Sequence, residues 1–114
     1  MKAETLKGHL DMLLLSILAD GPSHGYAVIE RLRDESGDAF DLPEGTVYPA
    51  LHRLQRSGLL TSTWGEAGGR RRRVYSLTPD GRKALVAKRR EWNLFAGAVQ
   101  RVVKGTPWPK PTTA

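Results

Sequence analysis

The stretch "PEGTVYPALHRLQRSGLL", residues 43 to 60, limits the fold of this chain more than any other segment. Read as a helix over 44–57, it places four apolar side chains within about 100° of one another, at Val47, Ala50, Leu51 and Leu54. The other side carries no acid and consists of Gly45, Thr46, Tyr48, Pro49, His52, Arg53 and Arg56. Pro49 is tolerated in or just after the first turn, and Gly58 ends the helix. The apolar side therefore needs other helices to cover it.

The preceding segments predict two helices that can supply this cover. Residues 9–19 are apolar nearly all round, so a helix there must be covered on more than one side. In so small a domain we expect a second subunit to provide part of that cover. Ser23 is a suitable N-cap for a second helix over about 24–36, and an acidic loop leads from that helix to residue 44.

The residues after Gly58 predict a β-hairpin. Residues 60–64 and 71–77 alternate and contain strand formers, among them Trp64, Val74 and Tyr75. The segment "GEAGGR" between them predicts a flexible, glycine-rich tip.

A long helix is predicted to follow the hairpin, with Thr78 as its N-cap and Pro79 as its first residue. It runs to about residue 103, roughly 25 residues or ~37 Å. Successive steps of 3, 4, 3, 4 and 3 residues, the spacing of a coiled-coil seam, join Leu85, Lys88, Trp92, Phe95, Val99 and Val102. The seam predicts a dimerisation helix, although a stripe that covers its own domain has the same pattern.

Basic residues are gathered into patches. The net charge is +6, four consecutive arginines occupy positions 70–73, and residues 82–90 hold five bases and no acid. Five acids and no base lie between positions 34 and 44. This distribution favours a polyanionic partner, while a merely solvated surface is the alternative.

Several classes of protein are excluded or disfavoured. The chain has no cysteine, which rules out disulfides and thiolate metal sites, and its three histidines lack a paired ligand spacing. We therefore expect no metal and no cofactor. The longest apolar run covers about ten residues, short of the ~20 that cross a membrane, and we find no signal peptide. These features predict a cytoplasmic protein without a membrane partner.

Three helices, a hairpin and a last helix are the order of a winged helix-turn-helix domain. The predicted fold class is mainly α with a small β-hairpin, divided into a DNA-binding domain (1–77), a dimerisation helix (78–104) and a flexible proline-rich tail (105–114). In this architecture the third helix enters the major groove and the hairpin, or wing, lies along the DNA backbone. The predicted DNA contacts on the third helix and the wing are Gly45, Thr46, Tyr48, Pro49, His52, Arg53, Arg70, Arg71 and Arg72.

The sequence also resembles the PadR-like transcriptional regulators over residues 6–103. The resemblance lies in "LKGHLDMLLLSIL", "GPSHGYAVIERL", "EGTVYPALHRLQRSGLL", "GGRRRRVYSLTPDGR" and Trp92, and the length resembles the subgroup with one short C-terminal helix. It implies a homodimeric winged-helix repressor that binds double-stranded operator DNA. It also implies that the tyrosine of "HGY", Tyr26, contacts the DNA backbone, together with Thr46, Tyr48 and Pro49 of the third helix.

The same resemblance implies a ligand site. In some members the tryptophan that matches Trp92 lines a cavity at the dimer interface and stacks on flat aromatic effectors. We therefore expect an effector site and dimer interface made by Met12, Leu13, Lys88, Trp92, Phe95 and Val99. The bases at 88–90 favour an anionic ligand such as a phenolic acid.

Alternatives remain at the sequence level. Tyr48 can be partly buried against the wing, Arg53 can pair with an acid of the 34–44 loop, and Trp92 can simply pack at an interface. His9 and His24 are expected to cap helices or to form local hydrogen bonds. A winged helix can also be a protein-interaction module. An enzyme is disfavoured, because no nucleophile elbow, phosphate loop or paired carboxylates are present.

Overall fold

A computed structural model of the chain describes Leu6 and residues 8–104, and the predicted tail at 105–114 lies outside them. The element order is α1 (Leu10–Ala19), β1 (Ser23–His24), α2 (Gly25–Glu35), α3 (Glu44–Arg56), β2 (Leu60–Ala67), β3 (Arg70–Leu77) and α4 (Pro79–Val103). The predicted fold class is confirmed. The helices begin and end within one residue of their predicted bounds, as expected where apolar periodicity and capping residues agree.

Of the predicted helix ends at Ser23, Gly58 and Thr78, the last two are confirmed and the first is wrong. The Thr78 Oγ1 accepts a hydrogen bond of 3.0 Å from the Gly81 N–H and caps α4, and Gly58 follows α3 with a φ of 80°. The cap of α2 is His24 and not Ser23: its Nδ1 accepts a hydrogen bond of 3.3 Å from the Ala27 N–H. The local role predicted for His24 is thus confirmed.

Ser23 has a different role, in a strand that the sequence did not predict. Ser23 and His24 form β1, which pairs antiparallel with Tyr75 and Val74 of β3, so the sheet has three strands in the order β1-β3-β2. A strand of two residues is too short for alternation to reveal it. The pairing of β1 with β3 places the start of α2 beside the wing.

The wing, the β2–β3 hairpin, is longer and more tightly closed than predicted. Its strands pair from Leu60 with Leu77 out to Ala67 with Arg70. Gly68 and Gly69 alone make the turn, with φ values of 62° and 78°. Two consecutive positive φ values are typical of a type I′ hairpin turn, whose twist matches that of the strands. The predicted six-residue tip is therefore wrong.

The core lies between the three N-terminal helices and the base of the sheet. The four apolar positions predicted on α3 are all buried. The helix α1 packs against α2, α3, β3 and α4 of the same chain. Its apolar surface is therefore covered on several sides within one chain, and on its own it does not require the predicted second subunit.

The helix α4 leaves the core after its first two turns. Leu85 is 4% exposed, whereas the later seam positions Trp92, Phe95, Val99 and Val102 are 40–82% exposed. The described part of the chain is correspondingly elongated, with extents of 55 × 27 × 23 Å. None of the helices in the described residues is long and apolar enough to cross a membrane.

Candidate nucleic-acid interface

The exposed side of α3 is narrow at its N-terminal end. Gly45 is exposed, and a Cβ built on it would meet no atom within 4 Å. Internal packing therefore does not require a glycine there, and the missing side chain leaves room for a partner. The rings of Tyr48 and His52 lie one turn further on, with centroids 6.5 Å apart.

Tyr48 lies against the first residue of α2. A Cβ on Gly25 would approach the Tyr48 ring to 2.5 Å, so only glycine allows this contact. The ring is half-buried, as the alternative for this residue anticipated, but the contact that the structure shows is with α2. Burial, and next the charge of Glu44, raise the pKa of Tyr48. A tyrosine hydroxyl is protonated at neutral pH in any case, so Tyr48 can act as a donor.

Tyr26 joins the start of α2 to the start of α3. Its hydroxyl donates a hydrogen bond of 3.0 Å to the Glu44 Oε2, and the Arg72 guanidinium lies 5.5 Å from the centre of its ring. The hydrogen bond to Glu44 raises the pKa of Tyr26, and the charge of the carboxylate adds to this. Glu44 is an acid at the edge of a face that we expected to be free of acids. In the first turn it also interacts favourably with the helix dipole.

Arg53 is held by an acid from a different element than expected. Its guanidinium donates two hydrogen bonds, of 2.9 and 2.8 Å, to the carboxylate of Asp11 in α1. The predicted alternative partner, the loop over 34–44, is therefore wrong. These hydrogen bonds raise the pKa of Arg53. The pair ties the exposed side of α3 to α1, and a DNA contact by Arg53 stays a prediction.

The run of four arginines divides into two pairs, because side chains alternate along a strand. Arg70 and Arg72 line an open groove with His24, Tyr26 and Glu30 of the neighbouring β1–α2 segment.

Arg71 and Arg73 lie instead over Trp64 on the other face of the strand, with guanidinium carbons 4.9 and 4.8 Å from its ring centre. Neither Trp64 nor Arg73 was among the predicted site residues. The strand alternation carries the signal for this grouping, once the pairing of Trp64 with Arg73 is known.

A cavity of about 180 Å³ lies between α1 and α4. Its lining comprises Gly8, His9, Met12, Lys88, Glu91, Trp92 and Phe95. The rings of His9 and Trp92 meet edge to face at 5.3 Å, and Phe95 lies 6.0 Å from Trp92. His9 is the N-cap residue of α1, but its side chain makes no capping hydrogen bond, which was one of the two local roles predicted for it.

Four of the six residues predicted for the effector site are therefore together. Of the other two, Leu13 is partly buried against the core, and Val99 lies further along α4. His9 and Glu91 were missed, since nothing in the local sequence connects α1 with α4. Within the described residues, no group of three or more His, Cys, Asp or Glu side chains could hold a metal ion.

Comparison with known sequences identifies a family. The profile of the transcriptional regulator PadR-like family matches residues 14–87. The chain is 43% identical over 77 residues to the transcriptional regulator Rv3488 of Mycobacterium tuberculosis, covering 68% of this chain and 69% of that protein.

Solved structures agree with the sequence match. A transcriptional regulator from Clostridium thermocellum superposes with a TM-score of 0.81 at 31% identity, covering 90% of this chain and 98% of the other. A PadR family regulator from Eggerthella lenta gives a TM-score of 0.76 at 32% identity, covering 88% and 86%. A PadR family regulator from Clostridium difficile gives 0.75 at 31% identity, covering 83% and 98%.

These matches confirm the resemblance seen in the sequence motifs. They assign a DNA-binding, winged helix-turn-helix transcriptional regulator and not an enzyme. The chain belongs to the PadR-like family of transcriptional regulators.

Proposed function

We propose that the protein is a homodimeric repressor that binds a two-fold operator and is released by a small aromatic ligand. The observation that carries the DNA half is that Tyr26 contacts both the start of α3, through Glu44, and the wing, through Arg72. Tyr26 and Arg72 are in contact, although 46 positions separate them. Hydroxyl and guanidinium donors so grouped suit phosphates and base edges.

Within this proposal the residues have different tasks. Thr46, Tyr48, Pro49 and His52 enter the major groove on α3, and Gly45 allows a close approach. The arginines at 70, 71 and 72 bind phosphates on either side of that groove, and Tyr26 joins them by exchanging its hydrogen bond to Glu44 for one to a phosphate. Arg53 has one face on Asp11 and the remainder of its guanidinium available to DNA.

The dimer half of the proposal is supported by the exposed seam of α4. In the described part of the chain, Trp92, Phe95 and Val99 remain at least 40% exposed. A second α4 packed along this seam would remove the apolar surface from water, which is the main favourable term in association. Two recognition helices related by a two-fold axis would then meet half-sites about one helical turn, ~34–36 Å, apart.

The effector half is supported by the size and lining of the α1–α4 cavity. Its volume of about 180 Å³ is of the order of an apolar cavity that accepts benzene, ~150 Å³. The Trp92 ring offers a stacking surface, and Lys88 offers a charge for an anionic substituent. Because the cavity adjoins the exposed seam, a partner subunit would close it.

The experiment that tests repressor function is binding to the DNA upstream of the protein's own gene, measured by fluorescence anisotropy at several salt concentrations. We expect two protomers per site and retention of the complex in excess random DNA. Tyr48→Ala should lower operator affinity much more than random-DNA affinity, because α3 reads bases. Equal affinity of the wild-type protein for promoter and random duplexes, across candidate promoters, would overturn the operator proposal.

The ligand half needs a separate measurement. Phenolic acids should quench tryptophan fluorescence and release bound operator, and Trp92→Ala should abolish the release. To shift operator affinity tenfold, the ligand needs ~1.4 kcal/mol more affinity for the geometry that does not bind DNA. A Trp92→Ala protein that still responds to ligand would contradict the site assignment.

A further inference from the structure

The wing contains an aromatic residue that no part of the DNA-reading scheme above uses. Trp64 is 55% exposed although it is one of the largest side chains in the described residues. It is on β2, directly opposite Arg73, and Arg71 is the diagonal neighbour on the same face. Both guanidinium groups lie within 5 Å of its ring centre. The ring thus has contact with two cations and retains an exposed portion.

Other groups fix one of these arginines further. The Arg73 Nη1 donates a hydrogen bond of 3.2 Å to the Ser62 Oγ. The Ser62 hydroxyl in turn donates one of 2.9 Å to the Gln55 Oε1 in α3. Arg73 is thereby connected through two side chains to the helix that enters the major groove.

Arg71 depends more heavily on the ring. Its cross-strand neighbour is Glu66, which could compete for the guanidinium. Glu66 takes part in none of the ion pairs found in the described part of the chain. The contact that the structure gives Arg71 is therefore the one with Trp64.

We propose that Trp64 is a positioning residue for DNA binding: it holds Arg71 and Arg73 in advance for the phosphate backbone beside the groove that α3 enters. Long arginine side chains lose rotamer freedom when they bind a phosphate. A cation–π contact in the free protein already restricts these side chains, so less rotamer freedom is lost when DNA binds. The inference rests on the proposed operator binding, and it adds Trp64 and Arg73 to its residues.

This role has a signature that a direct ionic contact lacks. Removing an arginine lowers the number of phosphates neutralised, so the slope of log K against log salt falls by about 0.9. Removing Trp64 leaves both charges in place. We expect Trp64→Ala to lower the affinity for operator and for random duplex by about five- to tenfold while the salt slope stays unchanged. Trp64→Phe, which keeps an aromatic face, should restore most of the affinity.

The deciding experiment combines Trp64→Ala with the arginine variants. In an Arg71→Ala/Arg73→Ala background, Trp64→Ala should have almost no further effect on DNA affinity, because its targets are gone. Arg72→Ala is the matched control: Arg72 lies on the other face against Tyr26, so its effect should add to that of Trp64→Ala. Full additivity with Arg71→Ala/Arg73→Ala, or wild-type affinity of Trp64→Ala, would overturn the proposal.

Two further measurements distinguish this role of Trp64 from a loss of fold and from a failure of the operator proposal. In the free protein, NMR should show ring-current shifts of the Arg71 and Arg73 δ protons that disappear in Trp64→Ala, while circular dichroism shows the fold retained. Absence of those shifts in the wild-type protein would sink the inference without any DNA. The affinity cycle can also be measured on random duplex, so a wild-type protein that lacks operator preference refutes the operator proposal alone.

Discussion

At the scale of single residues, two glycines show why the same residue type is needed for opposite reasons. Gly25 is buried, and its missing Cβ makes room for the ring of Tyr48. Gly45 is exposed, and its missing Cβ leaves open space. The first glycine serves the interior of the protein. The second has no internal function that the described contacts reveal. The open space beside it is what the proposed close approach to DNA requires.

We expect Gly45→Ala and Gly25→Ala to separate stability from DNA binding. Alanine is a better helix former than glycine, so Gly45→Ala should leave the free energy of unfolding unchanged or raise it by up to about 1 kcal/mol. The added methyl group should nevertheless weaken operator binding about tenfold, equivalent to ~1.4 kcal/mol. Thermal denaturation and anisotropy on the same preparations measure both quantities.

Gly25→Ala should behave differently, because its Cβ would overlap the Tyr48 ring. Overpacking of this kind typically costs ~1–3 kcal/mol of stability, and the displaced ring should lower operator affinity as well. If Gly45→Ala binds the operator like the wild-type protein, the close approach of DNA to this position is refuted.

At the scale of elements, the wing depends on its two-residue turn. Gly68 and Gly69 both have positive φ, a conformation that asparagine tolerates and β-branched residues resist. The turn fixes the register, and the register decides which arginines face Trp64 and which face Tyr26.

Gly68→Asn should therefore preserve the wing, whereas Gly68→Val should loosen it. A strained backbone position costs of the order of 1–3 kcal/mol, and a hairpin tip can open locally without unfolding the domain. We expect Gly68→Val to speed amide hydrogen exchange in the outer halves of β2 and β3 and to weaken DNA binding. The melting temperature should change little. Equal exchange rates in the two variants would contradict a type I′ turn at this position.

How far the sequence predicts these elements depends on what specifies them. The helices were predictable because apolar spacing and local caps, such as Thr78, define them within a few residues. The strand β1 was not, because it exists only through pairing with β3. The outer part of β2, "GEA", has poor strand formers and is likewise formed by its partner strand.

The candidate site follows the same division. Residues on one helix face, such as Tyr48 and His52, could be selected from periodicity alone. The partners of those residues could not: Asp11 and Arg53 are 42 positions apart, and Tyr26 and Glu44 are 18 apart. Such pairs depend on packing angles between helices, which no local pattern in one sequence records.

At the scale of the whole molecule, the projecting half of α4 has an exposed seam on one side and other apolar residues on its remaining surface. Phe95 belongs to the seam and is 58% exposed, while its neighbour Leu94 is 69% exposed and points about 100° away. Variants at these two adjacent residues therefore distinguish packing along the seam from non-specific hydrophobic association of the helix.

We expect Phe95→Glu to convert a dimer into a monomer, and Leu94→Glu to leave the dimer intact. Both changes lie beyond the buried Leu85, so the winged-helix fold should persist in each. Sedimentation velocity measures the mass, and operator binding should fall steeply only for Phe95→Glu, because a monomer holds one half-site. Wild-type mass for Phe95→Glu, or dissociation by both variants alike, would refute the seam as the dimer contact.

The first turn of α1 lies between the α1–α4 cavity and Arg53 of α3. His9 and Met12 line the cavity beside Trp92, and Asp11 between them holds Arg53 of α3. In the proposed function, ligand in the cavity and DNA on α3 would therefore be coupled through these few residues, and such coupling acts equally in both directions. A compound that loosens the grip on DNA by some factor must itself be held that much less tightly by protein already on DNA. Cells with many operator copies would then need more of the compound to obtain the same response.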